Sequence, residues 1–284
     1  MPELRFVQVD AFADKPFTGN PAAVIPLTEW LPDETLQAIA LENNLSETAF
    51  TVPLGDGQAD YELRWFTPTT EVDLCGHATL ASGHALMGER QSLEFRTRKA
   101  GHLTVAREGD GYAVSLPRTN VKRATEAQLR DVVARDGASI VDIITHDGAS
   151  DSAPPELYLS TDGVEGVALL LFPDEAAVRA CRPDMKRLAE IDYMAIVTAP
   201  GAPGAGYDVV SRVFVPAWGV DEDPVTGAAH AALMPFWTNR LERQHFTAYQ
   251  ASRRGGHLTV RREHGDRAVL GGKCVTVIEG VFRF

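Results

Sequence analysis

The chain has 284 residues, enough for two domains or lobes, and its 44% apolar and 23% charged residues can fill and solvate real cores. Its 39 acidic residues against 27 basic ones give a net charge of −12, which removes any general attraction for nucleic acid or an anionic membrane. The longest apolar run, Val167 to Phe172, is far short of the roughly 20 residues of a membrane span and reads as a buried strand.

The amino terminus shows no basic region, apolar run or cleavage site, so the expected location is the cytoplasm. Strands are expected at residues 5–9, 22–26, 47–52 and 61–66, where β-branched and aromatic residues are bounded by Gly and Pro. A first helix is expected over 32–43. A second, over 76–87, carries small or apolar groups on nearly every side and no charged face, so it must be surrounded by protein. After a strand at 112–116, a polar, basic stretch at 117–124 marks a crossover.

Beyond it the chain repeats itself. Asp60-Tyr61-Glu62-Leu63-Arg64-Trp65-Phe66-Thr67-Pro68 aligns at an offset of 148 with Asp208-Val209-Val210-Ser211-Arg212-Val213-Phe214-Val215-Pro216, matching Asp, Arg, Phe and Pro. Continued without a gap, this register puts Val72 on Val220, Cys75 on Asp223 and the small-residue run 76–86 on 224–234. Gly101-His102-Leu103-Thr104-Val105 returns as Gly256-His257-Leu258-Thr259-Val260, and Pro32-Asp33 and Pro183-Asp184 open similar helical segments. Self-similarity in this order predicts an α+β fold of two pseudo-symmetric lobes, each a curved sheet or barrel wrapped around one central helix. The first lobe is expected to comprise residues 1–118 with 274–284, and the second 119–273.

Both central helices then begin at equivalent residues, so their starts should face each other. A helix start offers unpaired N–H groups and about half a positive charge, and two of them in one cleft suit a small anionic substrate. Asp73, Cys75, Gly76 and His77 lie at the first start; Asp221, Glu222, Asp223, Pro224 and Thr226-Gly227-Ala228 lie at the second. Asp223 before Pro224 also fits a plain N-cap with Pro at the first helical position. Cys75 is a poor cap; a thiol at a helix start has a lowered pKa, whereas a buried cysteine is often inert. His77, in the first turn beside the cleft, reads either as an acid or base or as a core histidine, and His84, two turns deeper, as a packed residue. Glu47 shares a strand face with Ala49 and Thr51. A carboxylate among small residues near a cleft has its pKa raised by desolvation, as a general base for carbon acids requires; the alternative is a solvated strand-end glutamate.

Three cysteines, Cys75, Cys181 and Cys274, at scattered spacings suit reduced thiols. Eight histidines form no HExxH or CxxC-paired cluster, and no glycine-rich phosphate loop follows a strand, so neither metal nor cofactor is expected.

Four stretches carry a family resemblance: Val9-Asp10-Ala11-Phe12 with Phe17-Thr18-Gly19-Asn20-Pro21-Ala22-Ala23-Val24; Asn44-Leu45-Ser46-Glu47-Thr48-Ala49-Phe50; Arg64-Trp65-Phe66-Thr67-Pro68 to Gly76-His77-Ala78; and Ser211-Arg212-Val213-Phe214 to Glu222-Asp223-Pro224-Val225-Thr226-Gly227. Together they resemble the phenazine-biosynthesis isomerase (PhzF-like) family, which has the two-lobed fold of diaminopimelate epimerase. The resemblance implies a cofactor-independent isomerase that moves a proton, by double-bond shift or epimerisation, within a small carboxylate-bearing metabolite. It gives the acid/base role to Glu47 and makes His77 and Asp223 its catalytic partners. The expected substrate-binding set is Asn20, Ser46, Cys75, Gly76, Ala78, Thr226, Gly227 and Ala228.

Two departures stand out. Ala228 occupies the place of a serine in the phenazine enzyme, which removes a hydroxyl contact. Cys75 matches the first half of the two-cysteine pair of diaminopimelate epimerase, but Asp223 holds the second slot, which speaks against a two-thiol racemase. A non-catalytic small-anion binding protein on the same fold, and a thiol hydrolase built on Cys75 and His77, are the alternatives. The partners expected are a small anionic substrate and a second copy of the chain as a homodimer, with neither nucleic acid nor membrane.

Overall fold

Runs of alternating burial fold into sheet and the small-residue runs into helix. In chain order the first half forms β1 (Glu3–Ala11), β2 (Asn20–Pro26), α1 (Asp33–Asn43), β3 (Glu47–Pro53), β4 (Tyr61–Phe66), β5 (Glu71–Val72), α2 (Gly76–Leu86), β6 (Ser92–Thr97), β7 (His102–Glu108) and β8 (Gly111–Pro117). The second half forms β9 (Val121–Arg123), α3 (Glu126–Asp131), α4 (Ile140–Ile144), β10 (Glu156–Ser160), β11 (Val167–Leu171), α5 (Glu175–Ala180), α6 (Met185–Leu188), β12 (Met194–Pro200), β13 (Val209–Val215), β14 (Val220–Asp223), α7 (Gly227–Leu241), β15 (His245–Gln250), β16 (Gly256–Glu263), β17 (Arg267–Gly272) and β18 (Cys274–Arg283). The structure is a computed structural model that describes residues 2–55, 57–146, 154–162, 166–263 and 267–284. None of the described helices is long and apolar enough to cross a membrane.

Strand pairing makes the internal symmetry explicit. One half runs β18-β1-β2-β3-β4-β6-β7-β8, the other β9-β10-β11-β12-β13-β15-β16-β17, and antiparallel pairing of β8 with β17 joins them. The parallel pairs fall at matching places, β2 with β3 and β11 with β12, then β4 with β6 and β13 with β15. Each half receives the strand that follows the other half's last hairpin: β9 follows β8 but pairs with β10, and β18 follows β17 but pairs with β1. The two sheets curve around α2 and α7, whose small side chains pack in one continuous inner core with Val7, Val9, Leu63, Val105, Val213, Val260 and Leu270. The outer faces are covered separately, by α1 over Ile25, Phe50 and Phe66, and by α4, α5 and α6 over Leu170, Val197 and Phe214.

The helix starts touch. A Cβ built on Gly76 would lie 3.0 Å from the Gly227 Cα and 2.8 Å from Leu116 Cδ1, and one on Gly227 would lie 2.9 Å from the Gly76 Cα. Only glycine allows this approach, so these two positions set how closely the helix ends converge.

Three expectations need correction. The gapless register ends with β13: Trp65 faces Val72 but its equivalent Val213 faces Asp223, so the β13–β14 connection is three residues longer than that between β4 and β5, and Val72 matches Asp223 rather than Val220. Pro224, Val225 and Thr226 intervene before α7, so Thr226, not Asp223, is the residue before the helix and the counterpart of Cys75. Asp223 is therefore not an N-cap. Secondly, α7 does not stop before Pro235 but continues to Leu241. Proline there leaves the Ala231 carbonyl without its helical donor, and the Thr119 N–H on the crossover approaches that oxygen at 3.4 Å. Thirdly, the segment opened by Pro183-Asp184 is only the four residues of α6, held by Asp184 accepting the Lys186 and Arg187 N–H groups, and does not match the eleven of α1.

Candidate active site

A cavity of about 860 Å³ opens where α2 and α7 converge. Ser46, Glu47, Cys75, Gly76 and His77 line it from the first half, and Asp223, Thr226, Gly227 and Ala228 from the second. Thr67, Thr70, Met194, Val215 and Trp218 complete much of the wall. Two of the expected binding residues lie elsewhere. Asn20 and Ala78 are fully buried and stand behind the wall, Asn20 because β2 lies under α2 and Ala78 because it is in the helix's packed first turn.

Two matching braces hold the loops that deliver these residues. Arg64 on β4 makes a two-pronged contact with Glu71 at 2.7 and 2.8 Å, and Arg212 on β13 does the same with Glu222 at 2.7 and 3.1 Å. Both guanidinium groups are buried, so their planar forks pin β5 and β14 to the neighbouring strand just before each helix.

At the floor of the cavity four side chains form a continuous string. His77 Nε2 lies 2.9 Å from Glu47 Oε2; the side chains are 5% and 17% exposed, and the approach lacks the alignment of a good hydrogen bond. On the other side of the ring, Nδ1 is 3.1 Å from Asn20 Nδ2 and 3.5 Å from Cys75 Sγ. Asn20 Nδ2 also donates to Asp223 Oδ1 at 3.0 Å and to the Val225 carbonyl at 2.9 Å. Thr226 Oγ1 donates to Asp223 Oδ2. Glu47 and Asp223 are thus joined through His77 and Asn20 across the pseudo-twofold relation.

Burial raises the pKa of Asp223; His77 draws it down, Glu47 pushes it up again, hydrogen bonds from Thr226 and Asn20 draw it down, and the net is upward. For Cys75 the expectation of a lowered pKa is reversed. Burial, with Glu47 adding to it, pushes the thiol up to about 11 against the opposing effects of His77 and the Ala78 N–H. The field of the helix start is outweighed because the sulfur is sealed from water. Burial works against a charge on His77, but Cys75 and Glu47 together hold its pKa well above the usual imidazole range.

Glu47, Cys75 and His77 bring three atoms of metal-ligand type within 4.8 Å of one another. The imidazole stands between the other two, with Nε2 toward the carboxylate and Nδ1 toward the sulfur. That order suits a proton path better than one ion. The first intrahelical bonds run from Thr79 N–H to Cys75 O and from His230 N–H to Thr226 O, which leaves the amides of residues 76–78 and 227–229 outside the helical ladder.

Two residues not singled out in the sequence belong to this site. Gln250, fully buried at the end of β15, accepts the Thr226 N–H at 2.8 Å and donates to the Asp223 carbonyl at 2.8 Å, fixing the link between β14 and α7. His230 is fully buried, with Nδ1 2.8 Å from the Thr226 carbonyl, and burial brings its pKa down to about 4 against that hydrogen bond. The unfolded chain, at the ordinary 6.5, takes up a proton that native His230 refuses. Stability should therefore fall as pH drops from about 6.5 to about 4, by roughly 3 kcal/mol at most. Denaturant melts at both ends of this range should show the loss in the wild type and less of it in His230→Gln; equal losses in both proteins would remove His230 as the cause.

The family model described as "Phenazine biosynthesis-like protein" matches residues 9–280. The chain belongs to this family. An uncharacterized isomerase of Pseudomonas aeruginosa is 44% identical over 287 residues, covering 99% of each chain. Among solved structures, a phenazine biosynthesis protein of the PhzF family from Enterococcus faecalis is 37% identical, with a TM-score of 0.83 over the full length of both chains. A hydroxyproline epimerase from Agrobacterium vitis, 14% identical with a TM-score of 0.59 over 98% of this chain and 92% of that one, shares the fold.

Proposed function

We propose that this phenazine biosynthesis-like protein is a cofactor-independent isomerase that moves a proton within a small carboxylate-bearing substrate. The observation that carries this reading is the string Glu47–His77–Asn20–Asp223 at the point where two helix starts meet. Both carboxyl groups border the cavity but differ in surroundings: the Glu47 side chain is 17% exposed, whereas Asp223 is buried and has its pKa raised. Such a pair can divide the work of base and acid. The amides of Gly76, His77, Gly227 and Ala228, at the cavity wall and outside the helical ladder, hold the substrate carboxylate, and among the described residues Lys99, 2.8 Å from Asp73, is the one lysine or arginine on the wall. Glu47 removes a proton from carbon next to the activating group, with the His77 N–H beside it stabilising the carboxylate. Asp223, whose pKa burial raises, serves the second transfer. Isomerase names among the relatives agree with this reading.

Incubation in deuterium oxide with a panel of small amino, hydroxy and unsaturated carboxylates tests it. At least one compound should gain carbon-bound deuterium with the wild type and none with Glu47→Gln, read by mass spectrometry. A compound that raises the melting temperature but never exchanges would favour a binding protein instead.

A further inference from the structure

We propose, resting on the isomerase reading of this cavity, that Trp218 is a specificity-determining residue and that its wall takes an apolar group of aromatic-ring size carried by the substrate carboxylate. The two halves are pseudo-symmetric, and the symmetry fails at the cavity wall. Pro68 and Pro216 match at the offset of 148. Around them the first half carries Thr67, Thr69 and Thr70 where the second, at the same offset, carries Val215, Ala217 and Trp218, and all six line the cavity. One half thus offers hydroxyl groups where the other offers hydrocarbon. The second connection is also the longer, running from Arg212 to its brace Glu222 against Arg64 to Glu71, and it winds into a short 3-10 helix, Pro216–Trp218. Gly219 follows at a φ of 88°, a left-handed conformation that glycine adopts without strain, and turns the chain into β14 behind the tryptophan.

Trp218 is held in place: its Nε1–H donates to Asp192 Oδ1 at 2.8 Å, and the ring packs against the inner core. With its one polar atom occupied, the indole offers the cavity only carbon. Met194 and Val220 line the same half, and Ala228 at the start of α7 adds a methyl group. The ionisable lining residues of this half are Asp192, bound to Trp218, and Asp223, bound into the catalytic string. The threonines of the other half bond among themselves and stay in water: Thr67 Oγ1 accepts the Thr69 and Thr70 N–H groups at 3.2 and 3.0 Å, and both of those residues are exposed. Lys99 would favour a second anionic group on the substrate, but its side chain is 67% exposed and already paired with Asp73, so its pull is weak. Pockets that enclose drug-sized ligands run from about 300 to 1,000 Å³, and a cavity of about 860 Å³ holds much more than a carboxylate and its reacting carbon. An acid with an apolar ring fits this two-sided space in one orientation, ring on Trp218 and carboxylate on the helix starts, which fixes the carbon that meets Glu47.

Dissociation constants for acetate, succinate and phenylacetate, from ligand-observed NMR titrations of the intact protein, are the test. Phenylacetate should bind at least tenfold more tightly than either of the others, because only its ring is buried against an aromatic wall. Trp218→Ala should remove most of that advantage and leave acetate within about twofold of wild type, whereas Trp218→Phe, which keeps an apolar ring, should retain most of it. In the wild type the Trp218 Nε1–H signal, assigned by its loss in Trp218→Phe, should move when phenylacetate is added and stay in place with acetate. Tightest binding of succinate would assign the cavity to a dianion, with Lys99 taking the second carboxylate, and overturns the proposal. A phenylacetate advantage below tenfold, or one that survives in Trp218→Ala, overturns it as well. So does a Trp218 signal that phenylacetate leaves unmoved, a reading taken on the wild type that stands even if Trp218→Ala fails to fold. None of these measurements involves exchange. If the isomerase reading failed, the ring preference would persist while no carboxylate gained deuterium; if the wall were indifferent, exchange would be found without that preference.

Discussion

Glu47→Gln should lower turnover by about 10²- to 10⁴-fold while leaving substrate affinity within a few-fold of wild type. Removing a general acid or base typically costs that much, and the loss falls on turnover because glutamine keeps the shape and the acceptor oxygen but cannot take a proton. The fold should survive. Glu47 borders the cavity with a side chain 17% exposed, and a glutamine oxygen can still meet His77 Nε2. A shift in melting temperature of a few degrees is the most this exchange should bring. Cys75→Ala should cost far less turnover than Glu47→Gln, because a thiol held at about 11 is a poor nucleophile and base at neutral pH. Thr226, its counterpart before α7, offers no second thiol, and a two-thiol relay has no partner. If Glu47→Gln turned over substrate normally while Cys75→Ala was folded and dead, the carboxylate mechanism would give way to a thiol mechanism.

The parts of this molecule legible in its sequence are those that depend on local pattern or on the repeat. A helix with no charged face has to be enclosed, and α2 is. The offset between β4 and β13 shows in the sequence because strand register transmits residue by residue across a sheet. The three extra residues between β13 and β14 did not show, since the connection absorbs them without disturbing the strand on either side. The continuation of α7 past Pro235 was hidden for another reason: the donor that approaches the freed carbonyl comes from Thr119, more than a hundred residues away. Gln250 was missed because nothing near it in sequence resembles a site; it reaches Asp223 and Thr226 only when β15 packs beside the link to α7. His230, one turn past Thr226, is close to the site in sequence, but only the folded helix shows its ring meeting the Thr226 carbonyl. The protonation of Cys75 was misjudged because a helix start and burial act in opposite directions, and only the packed structure says which prevails.

Asp223→Asn should separate the residue's chemistry from its structural role. Asparagine keeps an oxygen for the Asn20 amide and a polar partner for Thr226, so the link between β14 and α7 should hold. It cannot carry or release a proton, and turnover should fall by a factor comparable to that for Glu47→Gln if Asp223 makes the second transfer. Stability should respond in the opposite sense. Because burial raises the native pKa of Asp223 above its ordinary 3.8, the native protein binds more protons than the unfolded chain between those two values. Stability therefore declines as pH rises through that window, and above it the ionised, buried carboxylate imposes its full cost. Asparagine removes that titration. The variant should melt at or above the wild-type temperature at neutral pH, and its advantage should shrink as pH is lowered toward about 4, where the unfolded wild-type chain also becomes protonated. Melting curves across this range, paired with turnover measured on any substrate that exchanges in deuterium oxide, decide between the roles. An inactive variant with this pH-dependent gain would mark Asp223 as a buried acid kept for chemistry at some expense of stability. An active variant with a constant melting difference would reduce it to a structural link between strand and helix, and would leave Glu47 and His77 to carry both proton transfers.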